Sequence, residues 1–208
     1  RGAFGADYGE PDRLFGSFNY GFSADIGGGP YDRRERLTPV SEEALYIAVA
    51  KEAPDQLPAK ADHWRATITQ ALQDWHSSGA DRLIIEILDN RAYGTPGTIE
   101  IDKEHASLEI RADNRARPVI RGIGHLNVKA KKNGTQLILS GLVVEGRGLR
   151  FSGGFETIAI SDTTFVPGLR VSEAGTPKNP NTASIRSDSI ARHCTVAIAR
   201  SIVGPGGV

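Results

Sequence analysis

Two glutamates and an arginine carry the sharpest chemistry in this chain. Glu86 and Glu109 lie in alternating segments, Leu83-Ile84-Ile85-Glu86-Ile87 and Ser107-Leu108-Glu109-Ile110-Arg111, each on the face opposite the apolar side chains. If these segments stack as neighbouring strands registered on Ile87 and Ile110, the two carboxylates stand roughly 5 Å apart. Carboxylates that close raise one another's pKa and can divide acid and base roles on a glycosidic bond. Arg111 occupies the next outward position. The competing reading is therefore that Arg111 neutralises the pair on a solvated face, where it would add little stability.

A second cluster follows the second of these segments: Asp113, Arg115, Arg117 and Arg121, with His125 nearby. Arginines at a turn can grip a uronate or a sulfate through paired hydrogen bonds, or simply brace one turn against the next. Asp89 and Asp162 each fall two residues after an alignment isoleucine, but Ala112 and Gly141 take that place in between, so no acidic ladder forms. The five histidines show no i, i+4 pair, and Cys194 stands alone, which leaves no metal-ligand pattern and no internal disulfide. Gly27-Gly28-Gly29 lacks the Lys and Ser/Thr of a phosphate loop. Asp25, Asp32 and Arg33-Arg34 read as turn and docking residues. No cofactor motif is present, and no serine sits in a G-x-S-x-G elbow.

Composition narrows the partners. The 25 basic and 25 acidic side chains cancel, so nothing in the net charge recruits nucleic acid or an anionic membrane. No apolar run approaches the ~20 residues that cross a bilayer. With 24 glycines and 11 prolines, the composition favours short strands joined by tight turns. Methionine is absent even from position 1, which suggests a processed or excised piece of a longer protein.

The elements that must position these residues repeat. Five segments share the alternation, aligned on Ile87, Ile110, Leu139, Ile160 and Ile198. A second series runs Val119-Ile120-Arg121, Val143-Val144-Glu145, Phe165-Val166-Pro167 and Ile202-Val203, and a third runs Leu126-Asn127-Val128-Lys129, Leu149-Arg150-Phe151-Ser152 and Leu169-Arg170-Val171-Ser172. Three strands per repeat predict a three-faced coil whose stacked turns build one apolar column. Ahead of it, Ile68, Leu72 and Trp75 fall at i, i+4 and i+7, predicting an amphipathic helix over 66–77 that caps the column. Before the helix, Leu45, Ile47 and Val49 alternate as a strand. Phe18, Tyr20 and Phe22 could form another.

The run Thr67-Ile68-Thr69-Gln70-Ala71-Leu72, followed by Ile84-Ile85-Glu86-Ile87, Tyr93-Gly94, Thr98-Ile99-Glu100-Ile101 and Leu108-Glu109-Ile110-Arg111, resembles the opening of the pectin-lyase-like right-handed parallel β-helix superfamily. More narrowly, Phe22 to Arg33, Ile110 to Asn114, Arg117 to Arg121 and Ser201 to Gly204 resemble bacterial β-helix-containing proteins, some of them labelled phage-tail-like. The resemblance implies an all-β right-handed parallel β-helix with three strands per coil, an N-terminal capping helix and an N-terminal strand and loop extension. It implies two regions, an extension over 1–62 and the β-helix with its cap over 63–208.

Two functions follow as expectations. One is a non-catalytic structural or binding module of a larger bacterial surface or phage-tail-like protein, extracellular or particle-associated, without cofactor or metal. The other is a carbohydrate-active enzyme, a lyase, hydrolase or esterase on an acidic polysaccharide, with Glu86, Glu109 and Arg111 as its catalytic candidates. For ligand binding the candidates are Asp113, Arg115, Arg117 and His125. Few aromatic residues follow the helix to wall a sugar cleft, which favours the module. The apolar column has no cap after Ile202-Val203, so the rest of a longer polypeptide or a neighbouring subunit is expected there.

Overall fold

The computed structural model describes residues 24–167, 174, 176, 182–190, 193–204 and 206–207. Along the chain come β1 (Leu45–Val49), β2 (His63–Arg65), α1 (Ile68–Ser77), β3 (Arg82–Ile87), β4 (Ala92–Gly94), β5 (Thr98–Ile101) and β6 (Ser107–Ala112). They are followed by β7 (Val119–Arg121), β8 (Leu126–Ser140), β9 (Val143–Gly146), β10 (Leu149–Ser161), β11 (Thr164–Pro167), β12 (Ile185–Ile190), β13 (Thr195–Ala199) and β14 (Gly206–Gly207). The expected strand at Phe18, Tyr20 and Phe22, and the third-series segment Leu169 to Ser172, lie outside the described residues.

Among the described residues all strands pair in parallel, but they build two sheets and not a closed three-faced solenoid. The larger has ten strands in the order β14-β12-β10-β8-β6-β3-β1-β2, with β13 also on β10 and β5 also on β8. The smaller has the order β11-β9-β7-β4. This overturns the predicted right-handed parallel β-helix with three strands per coil. The physical reason lies in β8 and β10, where the segments assigned to separate faces, 126–129 with 136–140 and 149–152 with 157–161, run on as single bent strands of one sheet.

The bend is made by glycine. Gly153 has φ +98°, and a Cβ there would meet the Ala130 carbonyl oxygen at 1.9 Å, so only glycine lets β10 turn this close to β8. The ladder shifts register across the bend and resumes at Phe155 opposite Thr135.

The core lies between the two sheets. Leu83, Ile85, Ile87, Leu108, Ile110, Leu137, Leu139, Ile158 and Ile160 point into it from the large sheet, and Tyr93, Ile120, Val144 and Phe165 point in from the small one. α1 begins at Thr67, whose hydroxyl accepts the Gln70 N–H at 3.2 Å. Its Ile68, Ala71, Leu72 and Trp75 are buried, and it packs against β1, β2 and β3. β1 lies between β2 and β3 in the large sheet, so residues before 62 pair with those after it. Among the described residues no helix is long and apolar enough to cross a membrane.

One register differs from expectation. Ile85, not Ile87, stands opposite Ile110, which sets Glu86 opposite Arg111 and Ile84 opposite Glu109. A two-residue slip keeps every side chain on its own face, so alternation alone leaves the two registers equivalent. The same slip removes the alignment of Asp89 with Asp162: the residues in line with Asp162 are Gly141 and Ala112, and then Ile87.

Candidate functional site

The outward face of β1, β3 and β6 is covered. Glu86, Glu109 and Arg111 are each only 4% exposed, a burial that rules out the solvated face expected for them. The Arg111 Nε donates to Glu86 Oε2 at 2.5 Å, and one terminal nitrogen donates to Glu109 Oε1 at 3.3 Å and to the Thr38 carbonyl at 2.7 Å. Tyr46 of β1 completes the cluster, with the Arg111 guanidinium 5.6 Å from its ring centroid. Burial pushes the Glu109 carboxyl above its ordinary value; Arg111 opposes this, and the charge of Glu86 adds to it. Burial and then Glu86 raise the Tyr46 phenol. For Arg111, burial favours the neutral form, but the two glutamates outweigh it and raise its pKa. The pair expected as acid and base is therefore buried and clamped on one arginine.

What covers this face is a strap, residues 24–43, that runs along the turns joining the two sheets. Its Gly27 N–H donates to the Arg200 carbonyl at 2.7 Å, and its Gly28 N–H to Thr164 Oγ1 at 2.9 Å. The Tyr31 hydroxyl lies 3.2 Å from Asp162 Oδ1, and its pKa is pushed up to about 12 by burial and by that carboxylate. Asp162 is fully buried and also receives two bonds from Arg200, at 2.9 and 3.1 Å. Further along, Arg33, 1% exposed, donates to the carbonyls of Asp113 at 2.7 Å and Ala116 at 2.8 Å. Thr38 then meets Arg111.

The strap also accounts for part of the second predicted cluster. The Asp113 carbonyl receives Arg33, and Arg117 Nε donates to the Gly28 carbonyl at 3.1 Å. Arg115 is an exposed neighbour of Asp32 at 3.8 Å. Asp113 and Arg117 are thus engaged in holding the strap. His125 is not with them: it precedes β8, near Arg147, Arg150 and Arg186. Burial first, and then these arginines, lower its pKa, with Asp188 opposing.

The accessible polar site lies there, on the outward face of β5, β8, β10 and β12. Strand register places Thr98, Asn127, Arg150 and Arg186 in one column and Glu100, Lys129, Ser152 and Asp188 in the next. Successive side chains in each column are about 4.8 Å apart, the spacing of paired strands. Between the columns runs an open groove of about 390 Å³ lined by Asn127, Lys129, Arg150, Ser152 and Asp188, among others. Asp188 pairs with Arg150 and, at 3.2 Å, with Arg186, while Glu100 pairs with Lys131 at 2.6 Å. Lys129 and Arg147 are exposed and carry no ion pair among the described residues. Cations therefore exceed carboxylates along the groove. Sequence reasoning missed these residues except His125. Asn127, Lys129, Arg150 and Ser152 stood in the third strand series, and the missing step was to read the outward positions as columns.

A second recess of about 300 Å³ sits at the sheet bend, with His105 and His193 on its walls and Phe155 beneath. Among the described residues, no three His, Cys, Asp or Glu side chains converge to hold a metal. No protein-family model, no curated protein and no solved structure matches the chain.

Proposed function

We propose that this chain is a non-catalytic binding and structural module that uses the groove over β5, β8, β10 and β12 to hold an acidic polysaccharide. It would serve within a larger bacterial surface or phage-tail-like protein, as the resemblance in its sequence implies. One observation carries the reading: the paired carboxylates are sealed beneath the strap, while the open polar surface is a ladder of side chains rich in cations. Arginine and amide donors repeated from strand to strand suit an extended anionic chain lying across the strands. Among the described residues the carboxylates of this face, Glu100 and Asp188, stand three strand steps apart, about 14 Å and wider than hydrolytic spacing.

Titration calorimetry with polygalacturonate, and with dextran as a neutral control, tests it. The anionic polymer should bind, and added salt should weaken the binding. The double variant Lys129→Ala, Arg150→Ala should bind at least about tenfold more weakly, a loss of ~1.4 kcal/mol, with an unchanged circular-dichroism spectrum. Equal affinity for dextran would sink the proposal. So would release of reducing ends by the native chain that Glu86→Gln or Glu109→Gln abolishes.

A further inference from the structure

The large sheet ends differently at its two edges. At one, β2 carries His63 and Arg65, which contact Asp74 of α1 at 2.8 and 2.7 Å, and α1 lays Ile68, Leu72 and Trp75 against the adjoining core. At the other, the path ends on β14, and beside it β13 branches from β10, hydrogen-bonding to β10 alone among the described residues, with all five of its residues exposed. Val196 and Ile198 pair with the buried core residues Ile158 and Ile160, yet they are 41% and 48% exposed. One end of the core is capped and charged, while at the other β13 presents an apolar edge with no further strand on it among the described residues.

We propose that β13 is the contact strand of a two-fold homodimer, in which the β13 edges of two copies pair antiparallel about Ala197. The strand Thr195-Val196-Ala197-Ile198-Ala199 is self-complementary in this arrangement. A two-fold axis at Ala197 sets Val196 of one copy opposite Ile198 of the other, with both apolar pairs on the core side of the joined sheet. Thr195 then faces Ala199. The strand has no charge to oppose its symmetry mate and no lysine, proline or bulge to guard its edge. A second copy is favoured over head-to-tail stacking because the β2 edge offers ionic side chains and a covering helix. Assembly accordingly closes at two copies.

Sedimentation of the 208-residue chain should give twice the monomer mass. Ala197→Lys, at an exposed outward position, should return it to the monomer mass with its circular-dichroism spectrum unchanged. In a Cys194→Ser background, Ala197→Cys should form a disulfide-linked dimer under mild oxidation, and Thr195→Cys alone should not. A monomer at every soluble concentration would overturn the proposal, as would an open-ended oligomer. So would a dimer untouched by Ala197→Lys, or cross-linking at Thr195→Cys in preference to Ala197→Cys.

Discussion

Arg111 balances two buried carboxylates and holds the strap by the Thr38 carbonyl, so its loss should be felt in several places at once. Arg111→Met keeps most of the side-chain volume but leaves Glu86 and Glu109 buried without a counter-charge. Removing one partner of a buried ionic group costs about 3–5 kcal/mol. A urea denaturation series should show that loss, and limited proteolysis should cut the variant first within 24–43. Glu109 behaves in the opposite way. Burial holds its folded pKa above the ordinary value of 4.5. The folded state therefore keeps that proton to higher pH than the unfolded chain does. Its contribution to stability is complete below the ordinary glutamate range and is lost as pH rises through the folded value. Glu109→Gln retains an oxygen acceptor for Arg111 and removes the ionisation. The variant should unfold at higher urea than the native chain at pH 7, and the gap should close toward pH 4. A gap that widens on acidification would refute this account of Glu109.

At the scale of elements, the bend in β8 and β10 decides the architecture. Gly153→Ala would place a methyl group on the Ala130 carbonyl oxygen and require an unfavourable φ, so it should destabilise the chain by about 2 kcal/mol or more. Gly79→Ala, where a Cβ meets nothing within 4 Å, is the matched control and should change little. Thermal unfolding of the two variants separates the effects. This bend also shows how far the sequence could be read. Alternation located the strands, and the spacing of Ile68, Leu72 and Trp75 located the helix, because burial imposes periods of 2 and 3.6 directly on side-chain type. Alternation is silent on whether two successive strands meet at a corner or run on through a bend. That choice is made by the backbone at Gly153, and it turned three expected faces into two sheets. Nor could alternation choose between registers two residues apart. Opposing Glu86 with Arg111, rather than with Glu109, is a consequence of ion pairing across β3 and β6. The columns flanking the groove were hidden for the same reason. They exist only once Asn127, Arg150 and Arg186 are known to share a register.

For the molecule as a whole, the division of labour is between a sealed face and an open one. The strap spends the charges of Arg33, Arg111, Arg117 and Asp162 on holding itself down, and leaves the cations over β8, β10 and β12 to the solvent. The strap also joins parts of the chain that are far apart in sequence: Gly28 bonds Thr164 across 136 positions, and Tyr31 approaches Asp162 across 131. On a ribosome that adds about 5–20 residues per second, the strap leaves the tunnel many seconds before its anchors exist. In the large sheet the strands can pair as they are made, β3 on β1, β6 on β3, β8 on β6 and β10 on β8. The Arg33 and Thr38 part of the strap can fasten once β6 and the turn after it exist, while the Gly27 to Tyr31 part must wait for Asp162, Thr164 and Arg200. Arrival of the C-terminal strands thus completes a fastening that the first strands begin.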